Sequence, residues 1–514
     1  MKFVSDPNSR MRTSPSVARL LLQAAGIVVI LATSATATFA AATDVLGYDD
    51  ARHLLARTGF GPTDAEVRAY APLTREAAVA KLLKETRTAA LTPPPEQVFD
   101  SGPLRYPNPE SSTAEEKKAF AQQQTREGLA LRAWWVREMI VTPSPLTERM
   151  TLFWHNHFVS SQAKVRLARL MYRQNVALRA HATANFGDLL HAMAKDPAML
   201  VYLDGVRSRK GAPNENFARE VMELFTLGEG RYAEQDIKEA ARAFTGWSVD
   251  RQSGEFLFRP RVHDYGVKTV FGKSAAFDGD DVLELLLARP ETAQRVTAKL
   301  WREFVSPDPD ATEVRNIATR FAASRYDIKT VLSDLLLCDA FYASENRGTL
   351  VKSPTELVVG TMRSFALEAD ASVALAIATA TMGQNLMAPP NVKGWPGGEA
   401  WINTNTLLAR KQFVDRVTRA EGQRRTRAAM TPATDATNPT ANPSMPAEGA
   451  MRRLSGIDFD SARFLAQFPG ATMKERGQWA QRLLLPVAPQ GDDPPNDVDA
   501  IVRALLFDTA YQLK

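Results

Sequence analysis

The chain predicts an all-α fold, a large multi-helix orthogonal bundle with at most a small β-hairpin. Three observations carry this reading. Apolar residues recur at helical spacing along most of residues 44–427, helix starts are marked by capping residues, and strand-like alternation is confined to one short stretch. With 514 residues, 45% of them hydrophobic and 24% charged, the chain is ordinary globular material with ample length for large cores.

The first 42 residues stand apart. Lys2, Arg10, Arg12 and Arg19 precede an apolar run over residues 20–31, and small residues continue to Ala42. This is the layout of a secretory signal peptide, with Ala40-Ala41-Ala42 as an A-x-A cleavage site and Thr38-Phe39-Ala40 as a second choice. The run is about a dozen residues, against the roughly 20 that span a bilayer. A cleaved leader is therefore expected in place of an uncleaved anchor, giving a periplasmic or secreted species that begins near Ala41 or Thr43 and is not an integral membrane protein. Arg10-Met11-Arg12 is not a twin-arginine pair, and no cysteine follows the apolar run to suggest lipid anchoring. The leader holds four of the 63 basic and one of the 58 acidic residues, so its removal lowers the net charge from +5 to about +2. A near-neutral mature chain gives no support for nucleic-acid binding. Cys338 is the single cysteine, so no intramolecular disulfide forms and stability must come from core packing.

Beyond the leader the elements follow in order. Residues 50–58 read as a short helix closed by Gly59. Thr63-Asp64-Ala65-Glu66 matches a capping box and opens another. Residues 92–109 are proline-rich and read as a long surface loop. Helices are then predicted at 127–141, 146–157, 165–184, 186–195, 215–227, 236–245, 281–288, 291–304, 311–323, 328–337 and 354–366. Ser144-Pro145 supplies an N-cap and an N1 proline, and Asp280 is read as the cap of the helix at 281. Residues 255–260 alternate and are expected to pair with 268–271 around His263-Asp264. Residues 428–450, rich in Thr, Pro and Asn, read as a disordered linker between a main domain (43–427) and a helical segment (451–514) that packs back on it. No repeat at solenoid periods is present.

Four polar clusters interrupt this apolar text. The first is Trp154-His155-Asn156-His157, which holds two of the six histidines. These histidines are candidate ligands for a divalent metal ion. On a regular helix, however, His155 lies about 200° from His157 and next to Glu148. Shared chelation therefore requires the helix to end near Asn156; otherwise His157 is a hydrogen-bonded core histidine and His155 a partner of Glu148. The second is Asn214-Glu215-Asn216 and the helix it opens. Glu220 sits at the edge of the apolar stripe, where a partly desolvated carboxylate needs a partner, a cation or a raised pKa, while Arg219 and Glu223 read as a solvated i,i+4 pair. Asn214 and Asn216 are candidates either for capping or for binding. The third is His263-Asp264, a candidate catalytic dyad. The fourth is Lys393-Gly394-Trp395 with Trp401-Ile402-Asn403, a rigid loop whose indoles would either face a sugar or partner protein or seal the end of the bundle. No G-x-S-x-G elbow, H-E-x-x-H, Walker loop, dinucleotide fingerprint or C-x-x-C-H is present.

Taken together, several strings resemble a known bacterial family. They are His53-Leu54-Leu55-Ala56-Arg57-Thr58-Gly59-Phe60-Gly61, residues 151–158, Lys195-Asp196-Pro197-Ala198-Met199-Leu200, residues 210–247 around Gly211-Ala212-Pro213-Asn214-Glu215-Asn216-Phe217-Ala218-Arg219-Glu220, His263-Asp264, Leu350-Val351-Lys352-Ser353-Pro354, residues 389–410, and Tyr511-Gln512-Leu513-Lys514. The family is that of domain of unknown function 1800, and the match spans nearly the whole mature chain. The resemblance implies an exported, mostly helical bacterial protein. It also implies a partner, because genes of this family often neighbour a second exported family that resembles alkaline phosphatases. The chain departs from the family pattern at Ala233, where relatives commonly show a capping threonine, and at residues 431–446, an insert private to this chain.

Two functions from different classes follow as expectations. One is a metal-assisted, hydrolytic enzyme of the cell envelope, in which His155 or His157, Glu220, His263 and Asp264 converge on a cleft. The other is a non-catalytic periplasmic factor that binds a glycan or protein through Asn214, Asn216, Lys393, Trp395, Trp401 and Asn403.

Overall fold

The structure is a computed structural model that describes residues 45–100, 102–418, 454, 457–490 and 497–514. The leader expected over residues 1–42 and the linker over 428–450 lie outside the described residues. α1 (Gly47–Thr58), α2 (Asp64–Tyr70) and α3 (Arg75–Lys84) come first. α4 (Ala114–Val141), α5 (Pro145–His157), α6 (Gln162–Val165), α7 (Ala168–Ala180), α8 (Phe186–Ala194) and α9 (Pro197–Tyr202) follow. α10 (Glu215–Glu220) runs directly into a π-helical stretch, Val221–Thr226, and α11 (Glu234–Ala243) precedes the strands. After the strands come α12 (Gly279–Leu287), α13 (Pro290–Phe304), α14 (Ala311–Ala323), α15 (Ile328–Leu337), α16 (Asp339–Tyr342), α17 (Pro354–Ser364), α18 (Ser372–Thr381) and α19 (Thr404–Thr418). α20 (Ser461–Ala466), α21 (Met473–Leu484) and α22 (Val498–Phe507) complete the helices. The fold is all-α, and the described residues belong to one compact unit.

Local chemistry explains most helix starts. Thr63 Oγ1 accepts from Glu66 N–H (3.2 Å) while Glu66 Oε2 accepts from Thr63 N–H (2.8 Å), the reciprocal box read from the sequence. The same device at Thr113 and Glu116 starts α4 well before the predicted residue 127. The early turns of α4 are solvent-exposed and carry no apolar stripe, whereas its later turns bury Leu131, Trp134, Trp135, Val136, Met139 and Ile140. The cap of α12 is Asp278 rather than Asp280, since Asp278 accepts from Asp281 N–H (3.0 Å). Asp280 instead pairs with His191 and Lys195.

The strands differ from expectation in their partners. β1 (Trp247–Val249) pairs antiparallel with β2 (Phe256–Phe258), and β3 (Lys268–Val270) with β4 (Lys273–Ala275). Asp250 makes an Asx turn to Gln252 N–H, and Gly254 at φ +74° brings β2 back onto β1 rather than forward onto β3. Phe271 and Gly272 both take positive φ, the two-residue turn that folds β3 onto β4.

α5 organises the centre of the molecule. Every residue in it except Pro145 and Asn156 is buried. A helix buried on all sides must partner its polar groups, because an unpaired one is costly there. Glu148 takes Arg179 (2.6 Å) and Trp135 Nε1–H (2.8 Å), and Arg149 takes Glu303 and Glu356. The C-terminal residues close on the same body through an antiparallel bridge of Val351 with Leu513 and through Arg482 on Asp49 (3.0 Å). Among the described residues, no helix is long and apolar enough to cross a membrane.

Candidate functional site

Two of the four polar clusters meet where α5 ends, and the charge of Lys393 in one of them acts on Glu220 of another. Asn156, its one partly exposed polar residue, reaches the loop at 393–395: its Oδ1 accepts from Trp395 N–H (2.7 Å) and its Nδ2 donates to Trp395 O (3.3 Å). Gly394 sits so close over Asn156 that an added Cβ would lie 2.2 Å from Oδ1, and its φ of +82° suits glycine. His155 packs beside the same loop, its ring 5.5 Å from Trp135 and 5.8 Å from Trp395. The cluster that opens α10 is linked to this junction through Glu220, which feels the Lys393 ammonium without being in contact with it.

Glu220 is the last residue before the π-helical stretch, a backbone irregularity often found at functional sites. It is half-buried and makes no hydrogen bond or ion pair within the described residues. Burial, and secondarily the like charge of Glu223, raise its pKa against the opposing pull of Arg219 and Lys393. Its charge in turn helps raise the pKa of buried Tyr202, after the larger effect of burial. Lys393 is exposed, and its ammonium has no protein partner among the described residues. The expected Arg219–Glu223 pair does not form. Arg219 lies on Glu234 through two bonds (2.8 and 2.7 Å), and Glu223 accepts from Tyr232 OH (2.5 Å).

The two histidines of the tetrad do not share a site, because α5 stays helical through His157 and sends them to different neighbours. His157 donates Nε2–H to Phe225 O (3.0 Å) and accepts from Lys299 Nζ at Nδ1 (2.8 Å). Burial, with Lys299 and Arg295 nearby, holds it neutral. Lys299 itself is pushed down to about 7 by burial and by Arg295. His155 is buried with Nε2 unpartnered, and burial lowers its pKa to about 4. It does not meet Glu148, whose oxygens Arg179 and Trp135 already occupy.

His263 and Asp264 lie in another part of the fold and share no contact with Glu220 or the tetrad. His263 Nδ1–H donates to Thr245 O (2.7 Å). Asp264 holds Arg242 (2.9 Å), whose guanidinium lowers its pKa to about 2. Adjacent side chains here point to different partners, so the dyad does not form. Among the described residues no group of three or more His, Cys, Asp or Glu is placed to hold one metal ion.

The asparagines and indoles have structural roles. Asn214 Oδ1 caps α10 at Asn216 N–H (3.0 Å) and Phe217 N–H (3.4 Å), and its Nδ2 donates to Leu203 O (2.8 Å), with Asn216 Nδ2 on the same carbonyl (3.5 Å). Asn403 Oδ1 accepts from Thr406 N–H (3.0 Å). Trp395 and Trp401 are buried, so they seal the loop rather than display a face to a ligand.

Sequence reasoning missed two features. A cavity of about 220 Å³ has Glu66, Tyr70, Lys81, Glu85 and Arg363 in its wall. Separately, buried cations gather around Glu356. The signal for the second was present in the charges set inside apolar strings at Arg57, Lys352 and Arg410.

A family model described as "Protein of unknown function (DUF1800)" matches residues 53–512. Neither the curated proteins nor the solved structures provide a match to the chain.

Proposed function

The chain belongs to the DUF1800 family, and we propose that it is an exported binding and assembly factor of the cell envelope, which holds its ligand at the surface around Glu220 and Lys393. One observation carries the reading. Most polar motif residues, His155 excepted, are engaged on backbone groups: Asn156 on Trp395, His157 on Phe225, Asn214 on Leu203 and α10, and His263 on Thr245. Groups engaged in this way fix a shape and are not free to meet a substrate. Beside the junction they build, the Glu220 carboxylate and the Lys393 ammonium remain without a hydrogen-bond or ion-pair partner among the described residues.

Such a pair suits a ligand that carries both cationic and anionic groups, as the peptide-bearing glycan of the bacterial envelope does. A partly desolvated carboxylate gains most from such a ligand, because its charge is poorly solvated beforehand. The leader-like residues 1–42 support the export half of the proposal. A partner from the exported, alkaline-phosphatase-like family fits the assembly half.

A second reading draws on one specific feature, the raised pKa of Glu220, which is the shift a general acid needs for hydrolysis. Cosedimentation of the purified mature chain with isolated peptidoglycan sacculi tests both readings. The binding proposal expects sedimentation with no release of soluble fragments. Release of soluble fragments by the wild type, abolished in Glu220→Gln, would transfer support to the enzyme.

A further inference from the structure

Residues distant in sequence from one another, in or beside the strings quoted above for their resemblance, bring their charges together away from Glu220. Arg52, Lys352, Glu356, Tyr511 and Lys514 line a small cavity of about 20 Å³. Arg149 bonds Glu356, and Arg410 bonds Lys352 O (2.8 Å) and Gln512 Oε1 (3.1 Å). Five cations therefore stand in or against this wall. Facing them are Glu356 and, through Arg149, Glu303.

The carboxylates are already committed. Glu356 holds both Arg149 and Lys514 and also accepts from Ser353 N–H (2.8 Å). Arg52 makes no ion pair among the described residues, and Asp49, which acts on its charge from farther off, is bonded to Arg482. Arg52 is 5% exposed, and its one hydrogen bond runs from Nε to Leu483 O (3.3 Å), so its Nη groups have no acceptor among the described residues. Among the described residues, the Lys352 ammonium donates only to Tyr511 O (2.8 Å). A buried guanidinium needs hydrogen-bond acceptors and countercharge. The cavity exceeds the roughly 10–15 Å³ that one water-sized sphere requires, so it has room for a single water or a monatomic ion, and the charges in its wall favour an anion.

We propose that this cavity is a binding site for a monovalent anion of chloride size, held by Arg52 and Lys352, which fastens α1 to the C-terminal residues. The charge of Lys352 gives the site a pH dependence. Burial foremost, then Arg52, Arg410 and Lys514, lower its pKa to about 7 against the pull of Glu356. Arg52 and Arg410, each lowered to about 10, stay charged at neutrality, while burial keeps Tyr511 neutral. Anion affinity therefore weakens as pH rises through neutrality.

Thermal unfolding of the mature chain, below neutral pH and at constant ionic strength, tests the site as sodium chloride replaces sodium gluconate. The midpoint should rise along a saturating curve. Lys352→Met and Arg52→Gln should flatten the curve, while Arg482→Gln, which loses a surface pair on Asp49, should leave it intact. Should Arg52→Gln fail to fold, the partly exposed Lys352 still provides the comparison. Bromide soaked into crystals of the wild type provides a readout independent of any variant, expected as an anomalous peak beside Arg52. A midpoint that is indifferent to chloride, a chloride response that survives Lys352→Met, or a cavity without bromide would each overturn the proposal.

Discussion

Asn156 grips Trp395 at both its N–H and its C=O, joining the end of α5 to a loop 239 positions away in the chain. One side chain thereby replaces two backbone partners, and Gly394 supplies the close approach that allows it. Asn156→Ala should cost about 1–3 kcal/mol, the usual penalty for stranding partly buried hydrogen-bonding groups. Gly394→Ala should cost at least as much, since it adds a clash with Asn156 to an unfavourable φ. Urea unfolding of both variants measures this, and losses within about 0.5 kcal/mol of zero, the range of ordinary surface substitutions, would contradict the clamp.

The Glu148–Arg179 pair should behave as a buried ion pair. Both side chains are about 1% exposed, and Trp135 completes the carboxylate's hydrogen bonds. Removing one partner leaves an uncompensated charge, so Glu148→Ala should cost about 3–5 kcal/mol. The double variant Glu148→Leu with Arg179→Met should recover most of that loss. Chemical denaturation of Glu148→Leu, Arg179→Met and the double variant reports the coupling, and simple additivity would refute it.

Asp196 sets a pH dependence of opposite sign to the usual acid unfolding. Burial raises its pKa to about 7, although Met199 N–H and Gln174 Nε2 donate to it. The unfolded value lies near 3.9. Between about pH 4 and 7 the native state thus holds a proton that the unfolded chain has released, and stability falls as pH rises through that window. Asp196→Asn keeps the capping oxygen and removes the charge. Its stability should be flatter over this range and exceed the wild type above neutrality in a pH series of denaturation curves. A variant less stable than wild type at pH 8 would refute this assignment.

Much of the fold was legible because helix starts carry their own punctuation. Thr63 with Glu66 marked α2 and Pro145 at N1 marked α5 from local sequence alone, although Ser144 makes no side-chain cap bond and its hydroxyl pairs with Thr147 Oγ1. The early turns of α4 were hidden because an exposed helix needs no apolar stripe, and the strand partners because turn geometry at Gly254 and Gly272 decides them. At the site, Glu220 was visible as a carboxylate on the edge of an apolar stripe. Asn156, the residue that assembles the junction, was not, because an asparagine ending a helix reads as a local cap and its partner lies far along the chain. The indoles could not be decided between display and sealing, because a Gly-Trp-Pro-Gly loop has the composition of a surface, while both rings are turned inward. Charges on α5 could not be paired from sequence, since Arg179, Glu303 and Glu356 come from three other elements.

The proposed ligand surface rests on two charges, and reversing them tests it most directly. Sacculus binding would be compared at fixed salt among wild type, Glu220→Gln, Lys393→Ala and the swap Glu220→Lys with Lys393→Glu, with circular dichroism confirming an unchanged fold. Lys393 is exposed and Glu220 is unpaired, so their replacement should leave stability within about 0.5 kcal/mol, as at other surface positions. The account predicts that each single variant weakens binding about tenfold, near the 1.4 kcal/mol of one desolvated charge contact, and that the swap abolishes it. Wild-type binding in all three variants would contradict it.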